Sequence, residues 1–322
     1  MKRLMLNANI HDEAEYVFLR ISEMAELRFR TGRISEIGYA DEGITKPMVI
    51  CVNGVRYYRK DSRNTGNSDD IEMLINFIGR YLGVNMAYEE RCLTLSGSAE
   101  ALISRDVVKD DTQHFYSMRE VAGFIADLPC VEKSIIDKWR DEYRQLNCLA
   151  YPDCKDAFEL RASKPTEVAM VIRYGLLASS VLDKAGMIDL GEFRNDYFNM
   201  LFLDCLTGQV DRTLGNYGLI YDKQNNHIDF APLFDNATLK KPYTEDGVCM
   251  INGYICDREM VFKELAAYDD FLAIAAKALD KEDQLIGHLK KLSEVFLEES
   301  QKKLLFENLE TGFKYLSTIF EF

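Results

Sequence analysis

Apolar and polar positions change their period several times along the chain, and each change marks an element. Val17, Phe18, Ile21, Met24 and Leu27 recur at helical spacing, which predicts an amphipathic helix near the start, alone or after a short strand. Gly32, Gly38 and Gly43 then spread through a predicted loop. The runs Met48 to Val52 and Val55 to Lys60 flank Asn53-Gly54, the strongest short-range hairpin signal. Asp69 with Glu72 three residues on predicts a capped helix that buries Ile71, Leu74, Ile75, Ile78 and Leu82 and stops at Gly83. Helical periods return over Met118 to Leu128, over Ile135 to Tyr143 around Trp139, and from Thr166 to Gly186. The next helix, Glu192 to Leu206, is apolar on nearly every side, so it is expected at the centre of a helical region. From Asp270 onward the pattern is helical to the end, with Leu285, Leu289, Leu292, Phe296, Leu304, Leu305, Leu309, Phe313 and Leu316 as buried positions.

A chain of 322 residues that is 47% hydrophobic has room for two packed lobes. Its 39 basic and 53 acidic residues give a net charge of -14 with no basic block, which argues against direct nucleic-acid binding. The most apolar region, Val168 to Leu182, contains Arg173 and Tyr174 and reads as a buried helix; no membrane span is expected. The apolar start is broken within a few residues by Asn and acidic positions, unlike a secretory signal. Eight cysteines lack C-x-x-C spacing, and the four histidines lie far apart. A reduced, cytoplasmic-type compartment without a zinc site follows.

The candidate chemistry is concentrated after the apolar helix. A polar loop carries Asp211 and Asn216, two strand-like runs (Tyr217 to Tyr221 and His227 to Ala231) form a predicted hairpin, and Pro232-Leu233-Phe234 delivers Asp235. A hairpin fixes the separation of its flanking loops, so Asp211, Asn216 and Asp235 are expected to converge. Magnesium takes hard oxygen ligands and leaves positions for phosphate oxygens, so Asn216 and Asp235 suffice as protein ligands. Asp211 is then free to orient or deprotonate an attacking hydroxyl. The competing reading is that these residues only satisfy turns.

The patterns Asp211-Arg212-Thr213-Leu214-Gly215-Asn216-Tyr217-Gly218 and Ala231-Pro232-Leu233-Phe234-Asp235 resemble the catalytic and metal-binding loops of the HipA/CtkA-like serine/threonine kinases, distant relatives of phosphatidylinositol kinases. Thr213 departs from the pattern, where the family commonly has His. The resemblance spans roughly residues 30 to 240. It implies an α+β, two-lobed protein-kinase-like fold: a small β-rich N-lobe over residues 1–108 and a larger helical C-lobe over 109–322. It also implies ATP and Mg2+ as cofactors. Lys60 is expected to bind the phosphates and Glu72, on the following helix, to orient Lys60, although Glu72 also fits a capping role. Leu102 to Val108 would be the last strand plus hinge, with main-chain groups near Asp106 and Val107 meeting adenine. Lys240 and Lys241, beyond Asp235, read as solvated.

The activity implied is phosphorylation of Ser or Thr hydroxyls on a protein substrate, of toxin type, with an antitoxin or regulatory partner. Two alternatives stand beside it. Thr213 and the absence of a compact glycine loop fit a pseudokinase, and the same loops occur in small-molecule and lipid-headgroup kinases, although the acidic surface disfavours an anionic membrane substrate.

Overall fold

A computed structural model describes residues 16–39, 48–60, 68–94, 100–126, 132–138, 141, 166–209, 212, 215–236, 248–251 and 254–320. Strands β1 (Tyr16–Ile21), β2 (Leu27–Gly32), β3 (Ile34–Tyr39), β4 (Met48–Val52), β5 (Val55–Lys60), β6 (Glu89–Thr94) and β7 (Glu100–Arg105) form one antiparallel sheet in the order β2-β1-β6-β7-β5-β4-β3. At the β4–β5 turn Asn53 and Gly54 both take positive φ, 51° and 80°, as a two-residue primed turn requires.

The start of the chain corrects the sequence expectation, because the predicted helix is the β1–β2 hairpin. β1 lies inside the sheet between β2 and β6. Tyr16 and Phe18 pack into one core cluster and Ile21 into another, so both faces of the strand are apolar and the period-two signal is lost. Met24, assigned to a helix face, is 69% exposed in the turn. β3 was likewise read as loop, its alternation diluted by Ser35, Glu36 and Gly38.

Helix α1 (Ser68–Leu82) ends before Gly83, which takes φ 93°. Every residue from Ile71 to Gly79 is buried, so α1 is enclosed on all sides where one buried face was expected. Beyond the sheet come β8 (Gln113–Ser117), α2 (Met118–Ala126), α3 (Thr166–Lys184), α4 (Leu190–Thr207), β9 (Gly218–Asp222) and β10 (His227–Phe230). They are followed by β11 (Val248–Ile251), β12 (Tyr254–Asp257), α5 (Arg258–Leu265), α6 (Asp269–Leu279), α7 (Glu282–Phe296) and α8 (Glu299–Ile319). β8 joins the predicted β9–β10 hairpin in a three-stranded sheet ordered β10-β9-β8, and β11 pairs with β12. The small β-rich lobe and larger helical lobe expected from the motifs are present. Trp139, Thr213, Lys240 and Lys241 lie outside the described residues.

α4 is the predicted central helix, buried without a break from Tyr197 to Thr207. Asp189 caps its start by accepting the Glu192 N–H at 2.9 Å. Gly208 ends it at φ 72°, donating its N–H to the Asp204 carbonyl. A main-chain suture joins the lobes: Leu233 donates to the Asn85 carbonyl and Ala87 donates to the Leu233 carbonyl, each at 2.8 Å. α1 side chains share one core cluster with α4, α6, α7 and α8.

Gly208 is required twice, for its left-handed φ and because a Cβ there would collide with the Asn308 amide. Gly208→Ala is expected to lose about 1–2 kcal/mol from the backbone alone, with more from the displaced Asn308. Urea unfolding of the two proteins measures the difference.

Candidate active site

The site is built outward from one buried ion pair. Asp204 lies in the last turn of α4 and Arg212 follows the helix, and both are 0% exposed. The Arg212 Nε donates to both Asp204 oxygens at 3.1 and 3.3 Å, and Nη2 donates to Oδ1 at 3.1 Å. Burial pushes the Asp204 carboxyl above the usual carboxylate range, and the adjacent guanidinium opposes that shift. The remaining donors of Arg212 face the two loops singled out by the motifs. Nη1 donates to the Asn216 carbonyl at 3.1 Å and to the Phe234 carbonyl at 3.0 Å, while Nη2 also donates to Asn236 Oδ1. One guanidinium therefore binds the loop carrying Asn216 to the loop carrying Asp235.

Asp235 takes φ 57°, a left-handed conformation that Asp tolerates better than most residues. Its carbonyl accepts from Gln209 Nε2 at 3.2 Å, so the end of α4 grips this loop at a second point. Phe234, beside it, meets Phe115 of β8 edge-on at 5.6 Å between ring centres. Asn216 and Asp235 are both half-buried. Their loops are thus fixed through main-chain carbonyls on the inner side, and two hard oxygen donors on adjoining loops suit a magnesium ion carrying phosphate oxygens. Among the described residues no cluster of three or more His, Cys, Asp or Glu forms an alternative metal site.

The small lobe reaches the same loop through Glu72. Its side chain is 1% exposed, and Oε1 accepts the Asn236 N–H at 3.2 Å. A contact across the lobes, to the residue after Asp235, goes beyond the capping role that the sequence left open. Lys60 is the last residue of β5, opposite Leu102 of β7. The lysine side chain and all of Asp211 lie outside the described residues.

The segment expected as the hinge follows β7. The Asp106 N–H donates to the Arg56 carbonyl at 3.0 Å, and Asp106 Oδ1 accepts the Val108 N–H at 3.0 Å. The Asp106 side chain therefore shapes the turn and pairs with Arg56 at 3.5 Å. Val107 lines a cavity of about 430 Å³ with Ile220, Phe230, Pro232 and Asp196. Burial holds the Asp196 carboxyl above its ordinary range, with Asn85 as a weak donor at 3.4 Å.

The sequence singled out Asn216, Asp235 and Glu72, which the structure brings to the loops joined at Arg212, but it gave no role to Arg212, Asp204, Gln209 or Asn236. The signal available was a carboxylate near the end of an otherwise apolar helix, followed by an arginine within the motif. A buried charge of that kind calls for a partner.

No family model matches this chain, and no curated protein matches it. Among solved structures it is similar to the Helicobacter pylori proinflammatory kinase CtkA, at 12% identity and a TM-score of 0.53, covering 86% of this chain and 94% of that one. It also aligns with the Shewanella oneidensis MR-1 toxin–antitoxin complex of HipA, HipB and operator DNA, at 12% identity and a TM-score of 0.49, over 98% of this chain and 67% of that one. The first alignment establishes the two-lobed kinase-like fold that the loop motifs implied.

Two predictions follow from the buried charges. Arg212→Met leaves Asp204 uncompensated and is expected to cost about 3–5 kcal/mol in urea unfolding; adding Asp204→Leu should recover only the part due to the orphaned carboxylate, because the Asn216 and Phe234 carbonyls and the Asn236 amide oxygen still lack their donor. For Asp196 the folded-state value is raised, so its ionisation opposes folding as pH rises through that value. Asp196→Asn should therefore raise the melting temperature at pH 7, and the gain should shrink toward zero as pH falls below the ordinary carboxylate range.

Proposed function

We propose that this protein is an ATP- and Mg2+-dependent kinase that phosphorylates Ser or Thr hydroxyls of a protein substrate. The observation that carries the reading is the Arg212 junction, which ties the Asn216 loop, the Asp235 loop and, through Asn236, the Glu72 helix into one unit. Phosphoryl transfer asks the protein mainly for positioning and charge neutralisation, and that unit supplies positioning.

Asn216 and Asp235 hold the magnesium ion. Lys60, oriented by Glu72, contacts the phosphates, and main chain near Asp106 and Val107 receives adenine. Because the Asp106 N–H is already bonded to Arg56, Val107 is the better placed of the two as a donor. Bound ATP supplies the phosphoryl group, and Mg2+ offsets its charge. Asp211 accepts the proton of the attacking hydroxyl as its oxygen bonds to the γ-phosphorus and the β–γ bridge bond breaks. The motif resemblance supports a toxin-type kinase with an antitoxin or regulatory partner, and the scattered cysteines without C-x-x-C spacing fit a reduced, cytoplasmic-type compartment. No helix among the described residues is long and apolar enough to cross a membrane.

Incubation with radiolabelled ATP and Mg2+ is expected to label this protein or an added protein substrate. Asp211→Ala and Asp235→Ala should each lower the rate by about two orders of magnitude or more. Persistent labelling in both variants would sink the assignment. ATP with Mg2+ at a hundred times its dissociation constant should add roughly 2.7 kcal/mol of stability. That shift without labelling would mean a pseudokinase, consistent with Thr213. Label transferred only to a small molecule or lipid headgroup would redirect the substrate class.

A further inference from the structure

Helix α7 comes from the C-terminal part of the chain, where the sequence suggested only buttressing of the large lobe, yet it runs along α1. Its start meets the end of α1. Lys281, the residue capping α7, donates from Nζ to the Tyr81 carbonyl at 2.9 Å and sits 5.5 Å from the centre of the Tyr81 ring. It thereby satisfies a carbonyl left open by the last turn of α1 and places a cation at the negative end of the helix.

Midway, His288 lies edge-on to Tyr81 at 5.6 Å and to Phe77, one turn earlier on α1, at 6.3 Å. At the far end Phe296 packs 5.6 Å from the Arg91 guanidinium. Arg91 pairs with Asp70 in the first turn of α1 and donates from Nε to Met73 Sδ at 3.2 Å. Leu285, Leu289 and Leu292 bury the face between these contacts. α7 therefore holds α1 at both ends and at its middle, and Glu72 lies between Asp70 and Met73 in the part held through Arg91.

We infer that Lys281, His288 and Phe296 are positioning residues that keep α1 at the height and rotation where Glu72 meets the Asn236 N–H. The inference rests on the kinase reading for its effect on catalysis, and on geometry alone for its effect on α1. The arrangement places within this chain a function that a separate activating partner would otherwise have to serve: a brace on the outer side of the glutamate helix. A tilt of α1 by even an ångström withdraws Glu72 from Asn236, and misplacement of that size costs roughly 10–100-fold in rate.

The test uses the full chain with Lys281→Met and His288→Asp together, beside the conservative pair Lys281→Arg and His288→Phe. Hydrogen exchange is read on the α1 amides, and kcat and KM for ATP are measured per correctly folded molecule. The disruptive pair should speed α1 exchange by roughly tenfold or more and lower kcat by roughly tenfold or more, with a smaller change in KM. The conservative pair should stay within about threefold of the parent in both readouts. Phe296→Ala, which leaves the Lys281 hydrogen bond intact, should show the same paired effect and serves where the double variant does not fold. Unchanged α1 exchange overturns the brace, and faster exchange with unchanged kcat overturns its catalytic role. A parent chain that turns over no ATP sinks the kinase reading instead, and α1 exchange then decides the brace alone.

Discussion

The Arg212–Asp204 pair is the interaction on which the rest of the site depends. Burying two charges costs several kcal/mol each, and their attraction offsets this only with good geometry and with the remaining donors satisfied. Here the guanidinium meets those terms by binding both carboxylate oxygens, two main-chain carbonyls and an amide oxygen. Only Arg has enough donors in a rigid planar fork; a Lys at this position has three donors on one atom and cannot span the two loops. The same electrostatics that make the pair costly to break make it directional. Asp204 is fixed by α4, so Arg212 is fixed by Asp204, and the loops are fixed by Arg212.

This order of dependence explains why α4 is buried on every side. A helix that only covered a core could tolerate a solvated face, whereas one whose last turn sets a site must itself be immobile. Tyr197 to Thr207 have no exposed member, and Gly208 with Gln209 turns the chain back so that Gln209 reaches the Asp235 carbonyl. The site thereby inherits the stiffness of the core through two side chains and one capping glycine. The small lobe joins through main chain, at Leu233 with Asn85 and Ala87, and through Glu72 at Asn236. Polar groups buried that deeply are worth having only when satisfied together.

How much of this was legible in the sequence depended on whether an element has two unlike faces. The β4–β5 hairpin could be read because Asn53-Gly54 permits few other conformations, and α4 because an unbroken apolar run of that length has one home. The β9–β10 hairpin could be read because two apolar runs are joined by a polar turn. β1 was misread because a strand inside a sheet, packed on both faces, carries no alternation, and its apolar positions happen to fit helical spacing as well. β8 was missed since Gln113 and His114 mask a short strand whose pairing partner lies a hundred residues on. In the candidate site, the sequence pointed to residues with chemistry of their own, such as Asn216, Asp235 and Glu72, while Asp204, Gln209 and Asn236, which act only by holding others, leave no pattern in a single sequence.

The burial of α1 also constrains how the site can be controlled. Many two-lobed kinases have a glutamate helix that can swing, but here Ile71 to Gly79 are enclosed on all sides, by the sheet, by the large-lobe core and by α7. Exposing just two of Leu74, Phe77 and Ile78, each now 0% exposed, costs roughly 3–6 kcal/mol. A displaced helix is then populated at about one part in a hundred or less. A ligand that drew the helix out would have to bind the displaced state at least a hundredfold more tightly, roughly, to make it the major form. Glu72 is thus better understood as a standing part of the Arg212 junction than as a switch, and control that acts at lower cost falls to the loops that the junction holds by their main chain.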